Sequence, residues 1–163
     1  MTSKTKMTIR SATLADYDGI CAVMDEGDAH HREALPHIFK KPDGPARPRD
    51  EIERLIDADD ADLLVALVDD LIVGVLVIKD CAMPDVPLFR PGRFALVDNL
   101  AVSEAARRCG VGRALMASAR QWAEARGLPR VQLSVWAFNE GAIAFYEALG
   151  YKAARLVMDL DLG

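Results

Sequence analysis

The stretch Val97-Asp98-Asn99-Leu100-Ala101-Val102, followed closely by Arg107-Arg108-Cys109-Gly110-Val111-Gly112-Arg113, decides how this chain is read. An apolar run of strand type leads into a basic helix start punctuated by glycines. The first-turn N–H groups of a helix have no intrahelical acceptor, and the helix dipole adds roughly half a positive charge there. An anion can therefore seat on main chain alone. Gly110 and Gly112 carry no β-carbon that would hold a phosphate away. The junction reads as an anion site.

Working outward, residues 7–12 form a short first strand. Thr13-x-x-Asp16 opens a helix through Met24 in the manner of a capping box, with Tyr17, Ile20 and Met24 on its inner face. Residues 27–48 hold Pro36, Pro42, Pro45 and Pro48 and read as a long loop or lid. A helix over 50–58 turns Ile52, Leu55 and Ile56 inward. The β-rich runs 63–68 and 71–78 flank Asp69-Asp70 as a hairpin. Residues 81–92, with Pro84, Pro87 and Pro91, form another irregular connection before a strand over 94–102. A helix over 111–126 buries Val111, Leu115, Ala119 and Trp122, exposes Arg113, Arg120 and Glu124, and ends at Gly127. A strand over 131–136, a helix over 139–149 closed by Gly150, and a last strand over 151–162 follow. This order predicts an α/β fold: a mixed sheet with helices on both faces, in one domain over 1–163.

Composition bounds the function. A chain of 163 residues can bury roughly two thirds of its unfolded surface without a disulfide or metal. Cys21, Cys81 and Cys109 are widely spaced with no Cys-x-x-Cys pair, which points to a reducing compartment and away from a zinc site. No metal is expected. There is no apolar leader and no apolar run of ~18 residues, so the expectation is a cytoplasmic chain without a membrane partner. A formal net charge of −5 disfavours nonspecific nucleic-acid binding.

The motif set narrows the fold. Arg107-x-x-Gly110-x-Gly112 follows a Val-x-x-Leu-x-Val strand, and Asn139 and Phe145-Tyr146-Glu147-x-x-Gly150-Tyr151 follow the next strand. A P-loop would need Gly-x4-Gly-Lys-[Ser/Thr], and a dinucleotide fingerprint Gly-x-Gly-x-x-Gly; neither is present. From residue 94 onward the chain resembles the GNAT superfamily of acyl-CoA-dependent N-acetyltransferases.

The resemblance implies a mainly antiparallel central sheet and acetyl-CoA as co-substrate. The coenzyme's pyrophosphate would lie on amides from Arg108 through Arg113, including Gly110, Val111 and Gly112, with Arg107 supporting the loop. The pantetheine arm would add like a strand beside Leu100 and Val102. The Leu100 N–H would face the thioester oxygen, where one donor is typically worth ~3 kcal/mol. Tyr146 would act as general acid toward the departing thiolate, although a core aromatic beside Phe145 is its structural alternative. Asn139 would hold the pantetheine arm, cap its helix, or both.

An amine nucleophile must shed a proton before it attacks. Asp98, a carboxylate in an apolar strand, is the candidate base, with an ordinary ion pair as the alternative reading. Ser134 stands where some relatives carry an acid, which leaves that route to a serine-held water. His30, His31, His37, Asp28 and Glu33 fall in the expected lid. The expected activity is acetyl transfer from acetyl-CoA to a primary amine by direct attack, with a homodimer as a guess at assembly. The alternatives are another short acyl group, a non-catalytic acyl-CoA-binding regulatory module, or a module that binds phosphorylated partners.

Overall fold

A computed structural model describes residues 6–163. Strand β1 (Met7–Ser11) is followed by a 3₁₀ turn, Leu14–Asp16, and helix α1 (Tyr17–Ala34). The turn is the capping box expected at Thr13: Asp16 accepts from the Thr13 amide at 2.8 Å. Arg10 grips the same carboxylate with two N–H donors at 2.7 and 2.9 Å. The Arg10 hydrogen bond is the main cause that lowers the Asp16 carboxyl to about 2 from its ordinary 3.8. Its stabilisation is therefore present above the ordinary value and is lost as pH falls toward the folded one. Asp16→Asn should lower Tm at neutral pH by about 2–4 °C, the shift expected of ~1 kcal/mol, and this deficit should vanish in melts near pH 2.

Helix α2 (Arg49–Ile56) precedes the hairpin of β2 (Ala61–Val68) and β3 (Leu71–Ala82). Asp69 and Asp70 hold φ of 49° and 64°, and Val68 pairs with Leu71. That is the two-residue turn whose twist matches its strands. Strand β4 (Arg93–Val102), helix α3 (Val111–Ala125), β5 (Val131–Leu133) and α4 (Glu140–Ala148) complete the order. The sheet runs β1-β2-β3-β4-β5, antiparallel throughout except for the parallel β4–β5 pair.

Alternation along the strands divides the core between two faces. Leu63, Val65, Val75 and Val77 bury against Ile20, Val23 and Met24 of α1 and Ile52 of α2. Leu64, Ala66, Leu76, Ile78, Ala95 and Val97 meet Val111, Leu115, Met116, Ala119, Trp122 and Ala123 of α3, with Phe145 and Tyr146 of α4 at the margin. Helices thus cover both faces, as expected. Each fully buried Val, Leu, Ile or Met among them contributes roughly 1.5–3 kcal/mol relative to exposure.

One irregularity in β4 sets up the site. Val77 pairs with Asn99 but Ile78 with Val97, so Asp98 is an extra, bulged residue. A bulge shifts the two-residue alternation by one. Ala95 and Val97 before it, and Leu100 and Val102 after it, consequently face α3, whereas Ala101 faces α1.

Four expectations are corrected. Helix α1 runs ten residues past Met24, to Ala34, so His30, His31, Asp28 and Glu33 are helical and the loop starts at Leu35. Pro36 is the physical stop, since the residue before a proline is pushed out of the helical region; Leu35 has φ −131° and ψ 63°. Strand β3 continues to Ala82, past the expected 78. Strand β5 spans three residues and not 131–136, and residues 151–162 form no strand.

Candidate functional site

The β4–β5 ladder ends at Val97 and Leu133. Beyond it the backbone of β4 is open on that side, and alternation fixes which groups point there. The Ala95 amide donates to Arg130 of the β5 side at 3.0 Å, whereas the Ser103 amide donates to Val73 on the β3 side at 2.8 Å. Stepping back by two, Ala101 and Asn99 also point to β3. Leu100 and Val102 therefore present their N–H and C=O groups to the open side. The Val102 carbonyl accepts from Arg107 Nε at 3.3 Å. The remaining groups form a short edge ready for an extended, amide-bearing partner.

The start of α3 lies at the end of this edge. A β-carbon on Gly74, which pairs with Val102, would sit 2.7 Å from Val111 Cγ1 and 2.9 Å from Leu115 Cδ1. The missing side chain lets the first turn of α3 press directly on the sheet. Gly110, the N-cap, has φ +83°, and Arg108 has φ +62°. The first turn carries no acidic residue and no side-chain cap. Arg108 and Arg113 are exposed and, among the described residues, make no ion pair. Unpaired amides, a positive dipole end and free guanidinium groups make this a cradle for a multiply charged anion. Gly112 also has a packing role. Its Cβ position is 3.3 Å from Phe145 Cζ and 3.8 Å from Val102 Cγ2, so its small size lets α4 and β4 close on α3.

That contact brings α4 to the site. Tyr146 follows Phe145, with ring centroids 5.2 Å apart, and is half-buried. Burial, helped by nearby Tyr151, pushes its phenol up to about 12. The group is thus a neutral O–H donor at physiological pH. Asn139 caps α4, its Oδ1 accepting from the Ala142 amide at 3.1 Å. The cap leaves its NH₂ group as a donor without a protein partner among the described residues. Asn139→Ala should lower Tm by about 2–4 °C through loss of a ~1 kcal/mol cap. Asn139→Asp should keep that stability while removing the donor, so only ligand affinity, read by titration calorimetry, should fall.

On the opposite face the bulge turns Asp98 into a cavity of ~400 Å³ between α1, α2, β3 and β4. Asp98 is exposed, and its Oδ2 accepts from Lys79 Nζ at 2.6 Å. The carboxylate is thus hydrated and paired, which explains how an otherwise apolar strand tolerates it. Glu51 and Asp60 also line the cavity and make no ion pair among the described residues. Arg47, half-buried and doubly hydrogen-bonded to Asp28 at 2.5 and 3.0 Å, ties the loop to α1. Its carbonyl accepts from the Tyr17 hydroxyl at 2.8 Å.

The histidines divide by position. His31 Nδ1 pairs with the Gly27 carbonyl at 2.8 Å, and both His30 and His31 pack on Phe138, at centroid distances of 5.5 and 5.7 Å. Phe39 joins Trp136 at 5.4 Å. An aromatic wall thereby links α1 and the loop to the approach to Asn139. His37 is exposed in the loop and, among the described residues, makes no side-chain hydrogen bond or aromatic contact. Lys79, Glu51 and Gly74 were missed by sequence reasoning. Only Gly74, an isolated glycine within a strand pattern, carried a signal.

The sequence matches the model of the acetyltransferase (GNAT) family over residues 30–151. The chain belongs to this family. Its fold agrees: the BH1408 protein of Bacillus halodurans, in a tetramutant structure, superposes with a TM-score of 0.89 at 25% identity over 95% of this chain and 99% of that one. A transcriptional regulator from Bacillus halodurans C-125 gives 0.76 at 23% identity, covering 96% and 100%. The aminoglycoside N-acetyltransferase AAC(6')-Iy, in complex with CoA, gives 0.74 at 16% identity, covering 99% and 97%. No curated protein matches the chain. No described helix is long and apolar enough to cross a membrane, and no described cluster of His, Cys, Asp and Glu could hold a metal.

Proposed function

We propose that this GNAT acetyltransferase transfers an acetyl group from acetyl-CoA to a primary amine by direct attack. The observation that supports the reading is the open β4 edge running into the uncapped start of α3, on which α4 packs through Phe145 and Gly112. The donor set suits coenzyme A. Amides from Arg108 to Arg113, flanked by three arginines, match a pyrophosphate, and the N–H groups of Leu100 and Val102 with the Asn139 NH₂ match a pantetheine arm. When bound, acetyl-CoA supplies the activated acyl thioester.

In this scheme the Leu100 N–H stabilises charge growing on the acyl oxygen. The amine nitrogen forms the new C–N bond as the C–S bond breaks, and Tyr146 Oη gives its proton to the sulfur. The amine's proton passes to Asp98, at Oδ1, directly or through water, because Lys79 occupies Oδ2. The free carboxylates of Glu51 and Asp60 favour a cationic amine in the adjoining cavity. Trp136, Phe39 and the histidine pair border the approach.

The test is release of free thiol from acetyl-CoA across a panel of primary amines. Amine-dependent release that is lost in Tyr146 and Asn139 variants is expected. Tight coenzyme binding without release for any amine would assign the fold to acyl-CoA sensing.

A further inference from the structure

We propose that Glu26 of α1 is a positioning residue for coenzyme binding: its carboxylate holds, from another element, the turn that delivers Arg107 through Arg113 to the start of α3. The inference rests on the reading of that loop as the coenzyme cradle. Glu26 Oε2 accepts from the Glu104 amide at 2.7 Å, across 78 positions of sequence.

Glu104 opens the 3₁₀ turn Glu104–Ala106, which lies between the end of β4 and the cradle. The first amides of such a turn have no acceptor within it. Ser103 stands at the N-cap, where its hydroxyl could fill that role, yet it gives no side-chain cap. Glu26 takes its place. A carboxylate on a backbone N–H is the stronger, charge-assisted form of this bond.

The need for a firm hold is visible in the backbone that follows. Arg108 has φ +62° and Gly110 φ +83°. The left-handed region is unfavourable for a residue with a β-carbon, and Arg108 keeps it only where its surroundings fix the chain. The Ser103 amide ties the segment to Val73 of β3 at 2.8 Å, and Arg107 Nε returns to the Val102 carbonyl at 3.3 Å. Glu26 adds the tie to α1. That helix is a sound anchor, because Ile20, Val23 and Met24 are buried against the sheet. Its next turn touches three parts of the site at once. Glu26 holds the coenzyme loop, a β-carbon on Gly27 would lie 3.9 Å from Ala101 Cβ of β4, and Asp28 grips Arg47, which lines the cavity around Asp98.

The charge of Glu26 argues for this role by its sign. The residue is exposed and, among the described residues, makes no ion pair. Beside a cradle for a multiply charged anion, a free carboxylate opposes binding through its charge alone. Its hydrogen bond and its charge therefore act on affinity in opposite directions, and two substitutions separate them.

Glu26→Gln keeps an oxygen acceptor and removes the charge, whereas Glu26→Ala removes both. Both residues are good helix formers at an exposed position, so both variants should fold. Titration calorimetry at one ionic strength should find acetyl-CoA bound by the Gln variant at least as tightly as by the wild type. The Ala variant should bind about 3–10-fold more weakly, the loss expected of one hydrogen bond. Steady-state kinetics should show that loss in KM for acetyl-CoA and not in kcat or in KM for the amine. Hydrogen exchange of the free protein should find the amides of residues 104–108 faster in the Ala variant and not in the Gln variant. Equal affinity in the Ala and Gln variants overturns the proposal, whether both match the wild type or both fall. So does unchanged exchange at 104–108 in the Ala variant. A wild-type protein that takes no acetyl-CoA would sink the coenzyme reading itself, a result distinct from either.

Discussion

Tyr146→Phe is expected to lower kcat by about 10²–10⁴-fold, the range for loss of a positioned general acid, with little change in acetyl-CoA affinity. The substitution removes one oxygen and keeps the ring that packs with Phe145 and Tyr151. Its pH signature follows from burial. A phenol pushed up to about 12 stays protonated through the physiological range, so no limb of the wild-type pH–rate profile below about pH 10 should arise from Tyr146. The variant should therefore show a uniformly lowered plateau and unmoved limbs. The same shift has a stability consequence of fixed sign: the fold keeps this contribution below the ordinary tyrosine value and loses it as pH rises toward the folded one. A variant with wild-type kcat at saturating substrate would remove Tyr146 from the chemistry.

Gly74→Val is expected to carry the largest stability loss. Even a single β-carbon would overlap Val111 Cγ1 and Leu115 Cδ1, at 2.7 and 2.9 Å, and both residues are fully buried. Overpacking of this kind typically costs about 1–3 kcal/mol, and a valine adds two methyls beyond the first. Tm should fall by roughly 4–12 °C, measured by thermal melting. Leu115 can turn its Cδ1 aside, but stiff, β-branched Val111 gives way mainly by α3 lifting off the sheet, which moves its first turn away from the end of β4. Acetyl-CoA affinity should therefore fall with stability, although residue 74 lies on β3, outside the expected binding set. Unchanged affinity in a destabilised variant would separate the packing of α3 from the anion cradle.

How much of this was legible in the chain can be traced residue by residue. The hairpin at Asp69-Asp70 and the buried stripe of α3 were local patterns, so they survived folding. The helix-start motif was legible because its chemistry is main-chain and glycine-dependent. The bulge at Asp98 was not legible: Phe94, Leu96, Leu100 and Val102 keep one unbroken alternation and Ala95, Val97 and Ala101 the other, so the pattern marked no change of phase. The Lys79–Asp98 pair had no local signal, because which side chains meet across β3 and β4 depends on the register that the bulge sets. The four prolines made 27–48 read as a loop, but all of them lie beyond Leu35, and contacts with β4 and Phe138 hold residues 27–34 in the helix despite the weak propensity of Gly27 and the histidines. The shortness of β5 and the absence of a strand over 151–162 had no local signal, because pairing at a sheet edge depends on which backbone comes to lie beside it.

The central claim is that coenzyme lies along the open edge of β4 and on the first turn of α3. Hydrogen exchange of the wild-type protein, with and without acetyl-CoA, tests it most directly. The account predicts added protection at the amides of Leu100, Val102 and Arg108 through Arg113, with β1 and α2 unchanged. Binding that protects the cavity around Asp98 and Glu51 while leaving those amides at their free rates would contradict it.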